Sequence, residues 1–148
     1  MHDAASPVDM QPWTALVVKD GVALGGLTRP ELLAALALAW AALPADRTFT
    51  ERQINEQLKA VLAGPALCLG TDHVELRRWL VDAGWLQRDG YGREYRVPAW
   101  ASLAAELQAL AAPLRGMDVT QWVATQRQAR LDARAARRRE WQARQATA

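Results

Sequence analysis

The sequence predicts an α+β fold that is mostly α, and three observations carry that prediction. Four segments open on a side chain able to cap a helix and continue with apolar residues at steps of three and four. Two short β-prone runs flank the turn residues Asp89-Gly-Tyr-Gly92. The order is also informative: a capped helix from Thr50, a second from Asp72 with a basic pair, then the hairpin. Together these predict a winged helix-turn-helix with an N-terminal β-hairpin and two additional C-terminal helices.

Residues 1–12 hold polar and turn residues without periodicity and are expected to be disordered. In WTALVVKDGVALGG, two apolar runs surround Asp20-Gly21. A type I′ turn needs positive φ at both central positions, which Asp-Gly tolerates, so a hairpin is expected, with a loop and one strand as the alternative. Thr28-Arg-Pro-Glu31 is a capping box with proline in the first turn. Its helix should run through Leu43 and stop at Pro44, with Leu32, Leu33, Leu36, Trp40 and Leu43 as a core face. Thr50-Glu-Arg-Gln53 opens the next helix, buried along Ile54, Leu58, Val61 and Leu62 and ended by Gly64-Pro65.

An apolar loop, residues 64–70, precedes the third box, Asp72-His-Val-Glu75. That helix should reach Ala83, with Gly84 as a left-handed cap and Val74 or Leu76, Trp79, Leu80 and Ala83 facing inward. Trp85 and Leu86 start a strand that returns through Glu94–Val97. After Pro98, the spacing of Trp100, Leu103, Leu107 and Leu110 predicts another amphipathic helix, broken by Pro113 and Gly116. Asp118-Val-Thr-Gln121 opens a long final helix to Gln145. The expected organisation is a disordered 1–12, a winged-helix domain at 13–97, a packing helix at 98–116 and a basic helix at 117–148.

A chain of 148 residues with 51% apolar content has a globular composition and fits a single domain. One cysteine, Cys68, excludes an intrachain disulfide and a thiol metal cluster, and fits a reducing, cytoplasmic setting. The run AALALAWAAL, about ten residues long, is too short to span a bilayer, and the acidic start does not read as a signal peptide, so no membrane partner is expected. Net charge is +2 but uneven, because residues 116–148 hold seven bases and three acids. Arginine outnumbers lysine 16 to 2, a bias that base composition of the genome can also produce.

Catalytic patterns are missing, and a non-catalytic protein without cofactor or metal is expected. Gly25-Gly26 lacks the lysine and spacing of a P-loop, and His2 and His73 are too few for a metal site. Cys68 has no evident base partner, and the carboxylates are scattered.

TFTERQINEQL followed by LRRWLVDAGWLQRDGYGREYRV resembles the bacterial family catalogued as domain of unknown function 2087. The upstream VVKDGVALGGLTRPELL is similar as well, so the resemblance covers roughly residues 16–97. Its most specific piece is Leu76-Arg77-Arg78 with Leu80-Val81-Asp82, Gly84 and Leu86. That family is often fused behind ArsR-type helix-turn-helix domains, which implies a winged-helix fold and a transcriptional role. Here the loop before Asp72 is longer and more apolar than such a turn, and the chain carries a basic C-terminal tail of its own in place of the upstream regulatory domain expected from relatives.

If duplex DNA is the partner, the Asp72 helix offers His73, Arg77 and Arg78 to the major groove, and the wing offers Arg88, Arg93 and Arg96 to phosphates. The structural alternative is that Arg77 and Arg78 pair with Glu75, Asp82 or other neighbouring carboxylates. On the last helix Arg127, Arg130, Arg134, Arg137 and Arg144 line up at helical spacing with Trp141, and Arg138 and Arg139 widen the stripe. This ridge suits a phosphate backbone, and Trp141 suits a base of a single strand; a solvated helix end is the alternative. Ala129, Ala133 and Ala136 form a narrow edge through which two such helices could form a homodimer. Of seven tryptophans, Trp40, Trp79 and Trp100 fall on core faces, while Trp13 and Trp141 are interface candidates. Two functions follow: a DNA-binding or transcription-associated protein, or a protein-interaction and oligomerisation module that uses the same fold as a scaffold.

Overall fold

The computed structural model describes residues 9–45, 47–91 and 93–147. The expected disorder of residues 1–8 lies outside them. Residues 9–12 are ordered, because Gln11–Thr14 form a short helix, α1, whose Trp13 is fully buried and donates its Nε1 hydrogen to the Ala34 carbonyl at 2.7 Å. Trp13 is therefore a core residue and not an interface candidate.

The N-terminal hairpin does not form. After α1 the chain turns, passes Asp20 and Gly21, and makes a single parallel bridge from Val22 to Leu69. The Val22 amide donates to the Cys68 carbonyl at 2.9 Å, and the Gly70 amide donates to the Val22 carbonyl at 2.8 Å. A Cβ on Gly70 would lie 3.0 Å from the Gly21 backbone, so the two loops cross in direct main-chain contact. Val22 thus satisfies its backbone against the loop 64–70 and not against a local strand partner, while the Val17 and Lys19 amides bond back to the Trp13 and Leu16 carbonyls.

Helix α2 (Arg29–Ala42) runs through the middle of the molecule. The Thr28 hydroxyl accepts from the Glu31 amide and the Glu31 carboxylate accepts from the Thr28 amide, completing the capping box. Leu33 to Ala39 are all buried, so the expected single core face is too narrow. Seven consecutive leucines and alanines leave no polar side, and such a helix is stable only when surrounded. It packs against α1, α3, α4, α5 and α6.

Strand β1 (Thr48–Thr50) leads directly into helix α3 (Glu51–Leu62), and Thr50 with Gln53 forms the second complete capping box. Helix α4 (His73–Ala83) packs on α3 and ends at Gly84, whose φ of +90 is the left-handed cap foreseen from the sequence. Trp85 and Leu86 are buried but precede the strand; their amides bond back to the Leu80 carbonyl. Strands β2 (Gln87–Arg88) and β3 (Glu94–Arg96) form the hairpin, and β1 adds to the far side of β3, giving an antiparallel sheet of order β1-β3-β2. Phe49, Tyr95 and Arg88 are in register across one face, and Thr48, Arg96 and Gln87 across the other.

The helix expected at 98–116 is interrupted. Trp100–Ser102 form a 3-10 turn, Leu103 and Ala104 are extended, and only Ala105–Ala111 are α-helical (α5), followed by a second 3-10 turn at Ala112–Leu114. The break lets Trp100 turn inward beside Trp40, with ring centroids 5.9 Å apart, while Trp40 also lies 5.5 Å from Trp85. Helix α6 (Val119–Ala146) begins at Asp118, whose side chain accepts from the Gln121 amide.

Candidate nucleic-acid interface

The faces of α4 follow from its spacing. Leu76 and Leu80 are buried and Trp79 is partly buried, so Asp72, Val74, Glu75, Arg78 and Asp82 line its outer side. Three carboxylates share this side with one guanidinium, so its net charge is negative. His73 sits in the first turn, half-buried.

Arg77 is held within the protein. It is 17% exposed, donates from Nη1 to Asn55 Oδ1 at 2.7 Å, lies 3.4 Å from Glu51 Oε1, and stacks its guanidinium 5.3 Å from the centre of the Tyr95 ring. It therefore ties α4 to α3 and β3. The pairing alternative holds for Arg77, with partners on α3 and not on its own helix. Arg78 makes no ion pair among the described residues and is exposed.

The structure brings Arg77, Arg78 and Arg88 together. All three line a small depression of about 190 Å³ over Tyr95, with Asp82 on its rim. Arg96 lies on the other face of the sheet, where its Nε donates to Gln87 Oε1 at 3.0 Å and where Arg47 and Ser102 join it around a separate hollow. Arg93 is exposed at the hairpin, with its guanidinium 5.8 Å from the Tyr91 ring. Arg88 and Arg96 also share a larger hollow of about 720 Å³ beside Tyr95 and Leu107, with Asp89 and Glu94 among its lining, so the wing arginines do not form one basic surface. Arg47 was missed by the sequence reading; recognising β1 as the neighbour of β3 would have placed it near Arg96.

Helix α6 is different. At 28 residues it is roughly 42 Å long. Val119 and Val123 pack on the core, but from Gln128 onward every described side chain is exposed except the half-buried Ala136. With a residue every ~100°, Arg130, Arg134, Arg137, Arg138 and Arg144 fall within an arc of about 120°, and Asp132 and Glu140 fall outside it. Arg139 also falls outside, on the opposite side. None of these arginines forms an ion pair among the described residues. Trp141 stands near the middle of the arc, 57% exposed. Closer to the body, Arg130 and Arg134 line a groove of about 450 Å³ with Lys19, Val18, Val22 and Asp20, the carboxylate that pairs with Arg127. Lys19 carries no sequence signal, since it lies more than a hundred residues away along the chain.

Arg127, although in the same stripe, has another task. Its Nη1 donates to the Val17 carbonyl at 3.0 Å and the Lys19 carbonyl at 2.9 Å, and its Nη2 pairs with Asp20 at 2.6 Å. It fastens α6 to the turn after α1.

The buried Cys68 thiol is raised from 9.0 to about 11, chiefly because burial disfavours the thiolate. It is protonated and inert at neutral pH. Among the described residues no group of three or more His, Cys, Asp or Glu side chains is arranged to hold a metal ion. No described helix is long and apolar enough to cross a membrane.

These features define a helical domain with a small sheet and one protruding basic helix. Residues 28–97, just under half of the chain, match the family model described as "Uncharacterized protein conserved in bacteria (DUF2087)". The match runs from the cap of α2 to the end of β3 and leaves α1, α5 and α6 outside it. Neither a curated protein nor a solved structure matches the chain.

Proposed function

We propose that the protein is a non-catalytic, DNA-binding and transcription-associated winged-helix protein whose hold on nucleic acid comes mainly from α6. The succession α2, β1, α3, α4, β2, β3 with sheet order β1-β3-β2 supports the winged-helix reading, with α3 and α4 as the helix pair and β2-β3 as the wing. The observation that carries the binding is the arc of exposed arginines on α6, which make no ion pair among the described residues and have no acid between them on the helix. Such a ridge neutralises phosphates and releases their counterions, giving affinity without sequence choice. The α4 face contributes little, because Arg77 is occupied and Arg78 is ringed by acids. A single buried thiol fits a cytoplasmic setting.

The test is fluorescence anisotropy with a labelled random duplex at low salt. The native chain binds. Replacing Arg130, Arg134, Arg137 and Arg138 together by alanine weakens binding by tenfold or more, while Arg78→Ala with Arg88→Ala weakens it less than about threefold. A chain that leaves the duplex free at low salt contradicts the reading. The acidic α4 face and the exposed Leu67 (46%) in the loop 64–70 favour a second reading, a protein-interaction module without nucleic acid. Self-association through the alanine edge of α6, measured by sizing at several concentrations, would accompany that outcome.

A further inference from the structure

We infer that the α6 ridge takes strands with unpaired bases in preference to duplex, with Trp141 as the stacking platform. This rests on the nucleic-acid reading above and specifies the partner. Trp141 is 57% exposed on a helix segment whose side chains are exposed among the described residues from Arg137 onward. Its neighbours one turn away are Arg137, Arg138, Arg144 and Gln145, so no apolar patch surrounds it. A protein partner would need such a patch around the ring, and a second copy of α6 would bring one arginine arc against another. Among the described residues, neither an aromatic ring nor a cation lies over the indole.

An open indole amid guanidinium groups meets the two needs of a single strand. The arginines follow the phosphates, and the ring offers its face to a base, which every base can use whatever its identity. In an intact duplex the base faces are already stacked on one another, and Trp141 has nothing to cover. A strand without base pairing can also bend to follow a straight ridge, whereas each strand of a duplex winds away from it.

The experiment measures binding of the full chain to three probes at one salt concentration. They are an oligothymidylate of about 20 nucleotides, a random duplex of similar length, and an abasic deoxyribose-phosphate strand of the same charge as the first. The oligothymidylate binds tightest. Trp141→Ala lowers its affinity roughly tenfold, Trp141→Phe retains most of it, and neither substitution changes binding to the abasic strand or the duplex by more than about twofold. Trp141 is outside the core, so both variants keep the fold. Equal affinity for oligothymidylate and abasic strand, or an unchanged affinity in Trp141→Ala, overturns the inference and leaves the phosphate-binding role of the ridge standing. Failure of all three probes to bind removes both. Binding of Trp141 to anionic lipid vesicles, with no preference among the strands, also overturns it.

Discussion

Arg127 and Arg77 show how residues of one type, read from sequence as one class, divide by geometry. Both carry a fixed fork of donors, and both direct it inward: Arg127 to two backbone carbonyls and Asp20, Arg77 to Asn55, Glu51 and the Tyr95 ring. Their partners lie far along the chain, so helical spacing alone could not separate them from Arg130 or Arg134. Arg127→Ala leaves the part-buried Val17 carbonyl without this donor and the Lys19 carbonyl to water, and should lower stability by about 1–2 kcal/mol, read as a shift in the urea midpoint. Arg127→Lys should recover only part of this, because a single ammonium cannot span the three acceptors. Cys68 makes a pH prediction. Its folded pKa is raised, so the stability it contributes is intact below 9.0 and is lost as pH rises toward about 11. Unfolding midpoints should decline across that interval in the native chain and decline less in Cys68→Ala.

At the scale of elements, the sequence was most legible where structure is local. The side chains of Thr28, Thr50, Asp72 and Asp118 all accept from the backbone three residues on, as their spacing predicts. Gly84 caps α4 as foreseen. Its φ of +90 is strained for any side chain, while an added Cβ would meet only Leu107 at an ordinary 3.6 Å. Gly84→Ala should therefore destabilise by about 1–2 kcal/mol through backbone conformation alone, with Gly84→Asn milder, as equilibrium denaturation would register. Elements defined by distant partners were not legible. The Asp20-Gly21 turn looked like a hairpin, yet Val22 after it pairs with the loop 64–70 and Lys19 before it bonds to Leu16 and Arg127. β1 has only three residues and exists because β3 is beside it. The helix expected from Trp100 to Leu110 breaks at Leu103, where turning Trp100 onto Trp40 outweighs continuous helix.

Across the whole molecule, charge is divided as the sequence indicated, with the cationic excess on the C-terminal segment. The fold adds what composition could not: that this excess stands on one side of a helix, clear of the body, with Lys19 joining it at the base. Of the candidates named from sequence, Arg130, Arg134, Arg137, Arg138, Arg144 and Trp141 share one surface of α6 while Arg127 is committed to the turn after α1, and those of the α4 helix and the wing are spread over several hollows around the sheet. The dissociation constant for a nucleic-acid strand, followed over a range of salt concentrations, tests this arrangement most directly. About five free arginines predict a log–log slope between about −3 and −5, with the slope made shallower by roughly one for each arginine of the arc removed. A slope near zero, or one unchanged when Arg130, Arg134, Arg137 and Arg138 are all replaced by alanine, would contradict the account.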